Sequence, residues 1–135
     1  EMLDTPMDVQ SMREAGAGLG RGALLICGDD TGIVDLVLVL ERFFVSESCG
    51  KCTPCRVGTT QMLESLERLR RGYGTQVDLD RLEQAATYAA EASFCGLGQA
   101  APVPIITGLR YFREEFEAHT QGKCPTGVCP MDRKQ

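Results

Sequence analysis

No apolar run in this sequence approaches the roughly 20 residues that a bilayer-spanning helix needs. The densest stretch, Ile33 to Leu40, is short and carries Asp35. The N-terminus, Glu-Met-Leu-Asp, has neither the basic nor the apolar region of a secretory leader. Its first residue is Glu and not Met, so the stretch reads as an excised or processed piece of a longer chain. Positive charge is outnumbered, 14 Lys and Arg against 19 Asp and Glu, and the net charge of −5 speaks against a general binder of nucleic acid or membrane surfaces. There is no internal repeat and no low-complexity tract beyond short glycine-rich loops. The one histidine, His119, ends an amphipathic segment, where it reads as solvent-exposed or as a favourable charge at a helix C-terminus. It is assigned no catalytic role.

Cysteine, by contrast, is plentiful: seven in 135 residues. An odd count without a leader weakens a disulfide framework and favours metal or redox chemistry. The matching compartment is the cytoplasm, including the cytoplasmic side of a membrane-bound complex. A composition of 43% hydrophobic and 24% charged residues suits one soluble domain with at most a fragment of another.

The expected fold is mainly α. Asp8 can cap a short helix through Ala15, which Gly16, Gly18 and Gly20 then stop. Ala23-Leu24-Leu25-Ile26-Cys27 is a compact apolar run, predicted as a buried strand with Cys27 as a core thiol. One strand and one short helix make no core, so they either pack on the helices that follow or have partner strands upstream. From Thr31 to Ser46 a buried helix is predicted, capped by Asp30 or Thr31. A second helix begins with Thr53 as N-cap and Pro54 at the first helical position, then carries Met62, Leu63, Leu66 and Leu69 at helical spacing. A third starts near Asp78 or Asp80 and runs to Ser93; a fourth follows Pro102-Val103-Pro104, with Ile105, Leu109, Phe112 and Phe116 at core spacing. Four helices with short connections predict a small bundle.

The chemistry lies in Ser48-Cys49-Gly50-Lys51-Cys52-Thr53-Pro54-Cys55-Arg56. Three cysteines, each two residues from the next, can turn their sulfurs towards one point. A fourth stands in Ser93-Phe94-Cys95-Gly96-Leu97-Gly98. Three clustered thiolates and one remote thiolate satisfy the ligand count of a cubane [4Fe–4S] cluster. A helix start at Pro54 would aim unpaired N–H groups at that anionic group, and Lys51 and Arg56 add positive charge. The bacterial ferredoxin run would place Cys-Pro after three more residues, but here Arg56-Val57-Gly58 leads to Thr59-Thr60. A zinc site with four cysteine ligands, pinning a helical interaction module, is the alternative use of the same residues.

The run from Glu47 to Thr59 closely resembles the iron–sulfur signature of the flavin-bearing, NADH-oxidising subunit of respiratory complex I, a family that includes diaphorase subunits of NAD-linked hydrogenases and formate dehydrogenases. Ser93 to Gly98 resembles its second signature. Val57 stands where the family more often has Glu, outside the ligand set. The resemblance implies that Cys49, Cys52, Cys55 and Cys95 ligate one [4Fe–4S] cluster, which takes electrons singly from FMN reduced by NADH and passes them to the next iron–sulfur centre. It implies three parts: residues 1–30 as the end of a β-grasp (ubiquitin-like) domain, 31–118 as the helical cluster-binding domain, and 119–135 as a cysteine-containing tail. The family's FMN and NAD site belongs to an upstream α/β domain. Gly16-Ala17-Gly18-Leu19-Gly20 lacks a preceding strand, so this stretch alone is not expected to oxidise NADH. The implied partners are that upstream domain and other iron–sulfur subunits, with no nucleic acid and no direct membrane insertion.

Cys124 and Cys129 remain open. Lys123-Cys124-Pro125-Thr126-Gly127-Val128-Cys129-Pro130 reads as a tail pair without cofactor, as a redox-active pair, or as half of a metal site. A stand-alone thiol–disulfide protein built on these two cysteines is a third overall reading.

Overall fold

The computed structural model describes residues 4–20, 22 and 24–132. The short α1 (Val9–Glu14) forms because the Asp8 carboxylate accepts the N–H groups of Gln10 and Ser11, but it buries none of its residues. Its exit is held to the bundle by the Tyr111 hydroxyl, which donates to the Gly16 carbonyl at 3.2 Å.

Four long helices carry the core: α2 (Ile33–Glu47), α3 (Thr53–Arg70), α4 (Gln76–Ala92) and α6 (Val103–Thr120). In sequence they contact as α2 on α3, α3 on α4 and α4 on α6, and α6 closes the ring on α2. Between α4 and α6, the short α5 (Gly96–Ala100) packs on α3 and α4. Val34 and Leu38 from α2, Met62, Leu66 and Leu69 from α3, Leu79, Leu82, Ala86 and Ala89 from α4, and Ile105 and Phe116 from α6 are fully buried. Each such leucine contributes about 1.5–3 kcal/mol over its exposed state. Small residues set the closest approach: a Cβ added at Gly58 would lie 3.2 Å from the Ala89 Cβ.

The helix starts correct three expectations. At α2 the N-cap is Gly32, which offers no side chain. Instead the Glu115 carboxylate of α6 accepts the Val34 N–H at 3.1 Å. At α3 the N-cap is Cys52 and not Thr53, so the helix begins directly on a cysteine. At α4 the N-cap is Thr75, and Asp78 is the third residue of a capping box: its carboxylate takes the Thr75 N–H while the Thr75 side chain takes the Asp78 N–H.

The expected fold class also needs correction. No β-strand occurs among the described residues, so the expected end of a β-grasp domain is not found among them. Residues 24–27 form neither strand nor helix, with Leu24 74% and Ile26 87% exposed; Cys27 is exposed too and is not a core thiol. The apolar, β-favouring composition is there, but a strand also needs a ladder partner, and none of the described residues supplies one. Ala23, the first residue of that run, lies outside the described residues, as do Leu3 of the expected first turn and the last residues, 133–135, of the expected tail. The bundle gains α5 where a glycine-rich loop was expected. Helix α2 is one-sided and not buried all round: Val39 and Phe43 face outward. No helix among the described residues is long and apolar enough to cross a membrane.

Candidate iron–sulfur site

The two cysteine-bearing stretches meet where two helices begin. Helix α2 ends at Ser48, whose hydroxyl lies 3.4 Å from the Cys55 sulfur and takes the Gly50 N–H at the same distance. The chain then reverses through Gly50, at a φ of +71° that other residues rarely adopt. Arg56 fixes this turn from the first turn of α3, donating to the Gly50 carbonyl at 2.6 Å. Cys49 is exposed on the turn, Cys52 is half-buried as the N-cap of α3, and Cys55 is buried in its first turn. Cys95 is exposed and is the N-cap of α5.

Cys52 is the meeting point. The Phe94 backbone N–H, from the residue before Cys95, is the largest influence holding the Cys52 thiol below the usual thiol range. The N–H of Cys55 acts in the same direction, as does the Arg56 charge. The second stretch is also wedged against the first: a Cβ added at Gly98 would lie 2.9 Å from the Cys55 Cβ and 2.6 Å from the Ser93 Cβ and Oγ. The Ser93 hydroxyl is buried here without a hydrogen-bond partner.

These features fit a thiolate-bound anionic group. The N-terminus of α3 on Cys52, Arg56 in its first turn and the orphaned Ser93 hydroxyl beside Gly98 would each favour negative charge there. A tetrahedral zinc with sulfur at about 2.3 Å needs its sulfurs roughly 3.8 Å apart. Among the described residues, the one group of three or more candidate ligands within 4.8 Å of one another lies elsewhere, at His119, Cys124 and Cys129. In a cubane each thiolate binds its own iron, which spreads the four sulfurs over a larger group.

At that other place the expectation for His119 fails: the ring is 0% exposed. Its Nε2 lies 3.4 Å from the Cys129 sulfur, and its Nδ1 lies 2.7 Å from the Glu115 carbonyl. Burial pushes the Cys129 thiol up to about 12, reinforced by Cys124 and Asp35. Burial acts the same way on Cys124, but hydrogen bonds from Thr126, Cys129 and Gly127 outweigh it and bring that thiol down to about 6. The signal available in the sequence was the spacing His-x4-Cys-x4-Cys. Reading His119 as the exposed end of a helix concealed it.

Helices that start on cysteines, with two such starts held together across the bundle, define a small all-α iron–sulfur module. The chain belongs to the family described as the NADH-ubiquinone oxidoreductase-F iron–sulfur binding region, whose family model matches residues 35–119. It is 38% identical over 128 residues to the NADP-reducing hydrogenase subunit HndC of Solidesulfovibrio fructosivorans, which covers 94% of this chain and 26% of that protein. It is 43% identical over 132 residues to an NADH-quinone oxidoreductase subunit of Streptomyces coelicolor, covering 98% of this chain and 28% of the relative. Among solved structures, an NAD+-reducing [NiFe]-hydrogenase in the air-oxidized state superposes with a TM-score of 0.67 at 40% identity, over 70% of this chain and 17% of that one. The chain thus spans little more than a quarter of the length of these curated relatives.

Proposed function

We propose that the chain is a one-electron relay within an NADH-dehydrogenase-type flavoprotein subunit, with Cys49, Cys52, Cys55 and Cys95 as the four ligands of a [4Fe–4S] cluster. Bound there, the cluster supplies a one-electron acceptor and donor between FMN, reduced by NADH in the upstream part of the subunit, and the next iron–sulfur centre of a partner subunit. The chain's own residues position and tune. Ser48, Gly50 and Arg56 shape the turn that carries Cys49 and Cys52. Gly98 lets the Cys95 stretch close onto Cys55, and the Phe94 N–H and Arg56 favour the thiolate at Cys52. The core beneath keeps water from the Cys55 side. No catalytic residue is assigned, and NADH oxidation falls to the upstream domain.

The observation that supports this reading is the convergence of Phe94 and Gly98, which flank Cys95, on Cys52 and Cys55. The names of the relatives, quinone oxidoreductase and hydrogenase subunits, support the same assignment. The test is iron, sulfide and zinc content of anaerobically purified or reconstituted chain, with an EPR spectrum after dithionite. The expected result is about four irons and four sulfides per chain, the count a cubane requires, and a reduced-state signal that Cys52→Ser abolishes. One zinc held by these four cysteines, with no signal after reconstitution, would establish the zinc-pinned module instead.

A further inference from the structure

The segment after α6 folds back onto the bundle. The Lys123 N–H donates to the Ala118 carbonyl at 3.0 Å, and the Gly127 N–H closes a turn on the Cys124 carbonyl at 3.2 Å. Further on, the Asp132 N–H reaches the Arg71 carbonyl at the end of α3, 3.1 Å away. The turn seats against the start of α2: a Cβ added at Gly32 would lie 2.6 Å from Val128 Cγ2 and 3.1 Å from Thr126 Oγ1. Inside this seat are His119 and Cys129, both buried, with Cys124 half-buried at its edge.

The orientation of the ring is decided by its partner. A carbonyl oxygen only accepts, so the 2.7 Å contact to Glu115 puts a proton on Nδ1, and in the neutral ring the lone pair is then on Nε2. That lone pair faces the Cys129 sulfur at 3.4 Å. The Nε2, Cys124 Sγ and Cys129 Sγ atoms all lie within 4.8 Å of one another.

We propose that His119 Nε2, Cys124 Sγ and Cys129 Sγ form a second metal site, for a zinc-type divalent cation, which fastens residues 121–132 across the ends of α2, α3 and α6. Two sulfurs and an imidazole nitrogen are borderline-soft donors, suited to zinc and unsuited to magnesium or calcium, which take oxygen. Tetrahedral zinc, with bonds of about 2.0–2.3 Å, needs its ligand atoms roughly 3.5–3.8 Å apart, so the present triangle needs little closing. The three protein donors leave the fourth position to water. An imidazole whose other nitrogen donates to a backbone carbonyl is the usual outer support of a metal-bound histidine. The same Glu115 that orients His119 through its carbonyl caps α2 through its carboxylate, which ties the site to the start of α2. The family match ends at residue 119, so both cysteines lie beyond it. The inference does not depend on the relay reading.

The test uses the 135-residue chain, reconstituted anaerobically with iron and sulfide so that the first four cysteines are occupied, then titrated with Co(II) alone. The expected result is about one cobalt per chain with the absorption of a tetrahedral thiolate–imidazole site. Cys124→Ser and Cys129→Ser remove this absorption, and Cys52→Ser, which abolishes the iron signal, keeps it. His119→Cys retains cobalt with a stronger thiolate band, a gain that a merely misfolded variant would not show. The proposal is overturned if the unaltered reduced chain takes up no cobalt or zinc beyond its iron. It is equally overturned if cobalt binding is indifferent to Cys124→Ser, or if mass spectrometry finds Cys124 and Cys129 joined as a disulfide and the reduced pair binds no metal.

Discussion

Gly98 and Cys55 are packed so closely that a Cβ on Gly98 would lie 2.9 Å from the Cβ of Cys55, a separation that real Cβ atoms essentially never show. Neither neighbour there can yield as the far end of a long side chain would: Cys55 is buried in the first turn of α3, and Ser93 is buried against it. Gly98→Ala must therefore push the Cys95 stretch away from α3. The expected cost is about 1–3 kcal/mol, the usual range for overpacking. Iron retained after reconstitution should fall more steeply than stability, because the displaced element carries Cys95, the fourth ligand of the proposed cluster. Urea denaturation and iron content measured on the same sample check both halves.

A second prediction concerns Glu41, which is 0% exposed on α2 and has no hydrogen-bond partner for either carboxylate oxygen. Burial raises its pKa from 4.5 to about 8. The folded state thus holds a proton that the unfolded chain releases near pH 4.5, so this group favours folding below that pH and loses its contribution as pH rises through 8. The loss is at most roughly 5 kcal/mol if the whole difference is expressed. Glu41→Gln should match the unaltered chain near pH 4.5 and exceed it in stability at pH 8. Equal pH slopes for the two proteins in urea titrations would refute the assignment.

A third prediction rests on the start of α4. Asp78 is buried, accepts from the Thr75 N–H at 2.8 Å and is paired with Arg68 at 2.8 Å. Burial alone would raise its pKa, but Arg68 and Thr75 outweigh that and hold it below the usual carboxylate value. Its contribution is therefore present above the unfolded carboxylate pKa and fades as acid protonates it. Asp78→Ala should cost about 1–2 kcal/mol at neutral pH, the upper range for a lost cap, because an arginine is freed as well. The deficit should shrink on acidification, which thermal melts at several pH values will reveal.

How far the sequence discloses this protein depends on whether a signal is local. The four long helices were legible from apolar spacing, and the Asp8 cap from its position. Asp78 read as a helix start because it is a good cap residue, yet a little earlier Thr75 completes a reciprocal box that uses it as the third position. The run ending at Cys27 read as a buried strand because composition favours one; pairing partners are a tertiary fact, and none of the described residues provides them. For α2, spacing showed an apolar helix but not which side the other helices would cover. The approach of Phe94 and Gly98 to Cys52 and Cys55 is a tertiary relation, for which the sequence offers only the count of four cysteines. The burial of His119 was not legible either, since it depends on a turn at residues 124–129 folding back over the end of α6.

Arg56 supplies the last prediction. It is exposed, so its charge acts through a solvent-screened path and not a buried one. It donates to the Gly50 carbonyl and helps lower the Cys52 thiol, after the larger influence of the Phe94 and Cys55 N–H groups. Arg56→Gln should therefore slow alkylation of Cys52 in the metal-free chain at neutral pH, because the thiolate is the nucleophile and its fraction falls. In cluster-loaded chain, removing a positive charge beside an acceptor that becomes more negative on reduction should lower the midpoint potential. An exposed charge is worth up to about 1 kcal/mol, so the shift should be on the order of 10–40 mV, and it should diminish as salt is raised. A larger shift that ignores salt would point to a collapsed turn at Gly50 and not to lost charge. Arg56→Lys separates the two: it keeps the charge while giving up the planar guanidinium, so a potential close to that of the unaltered chain identifies the charge as the cause.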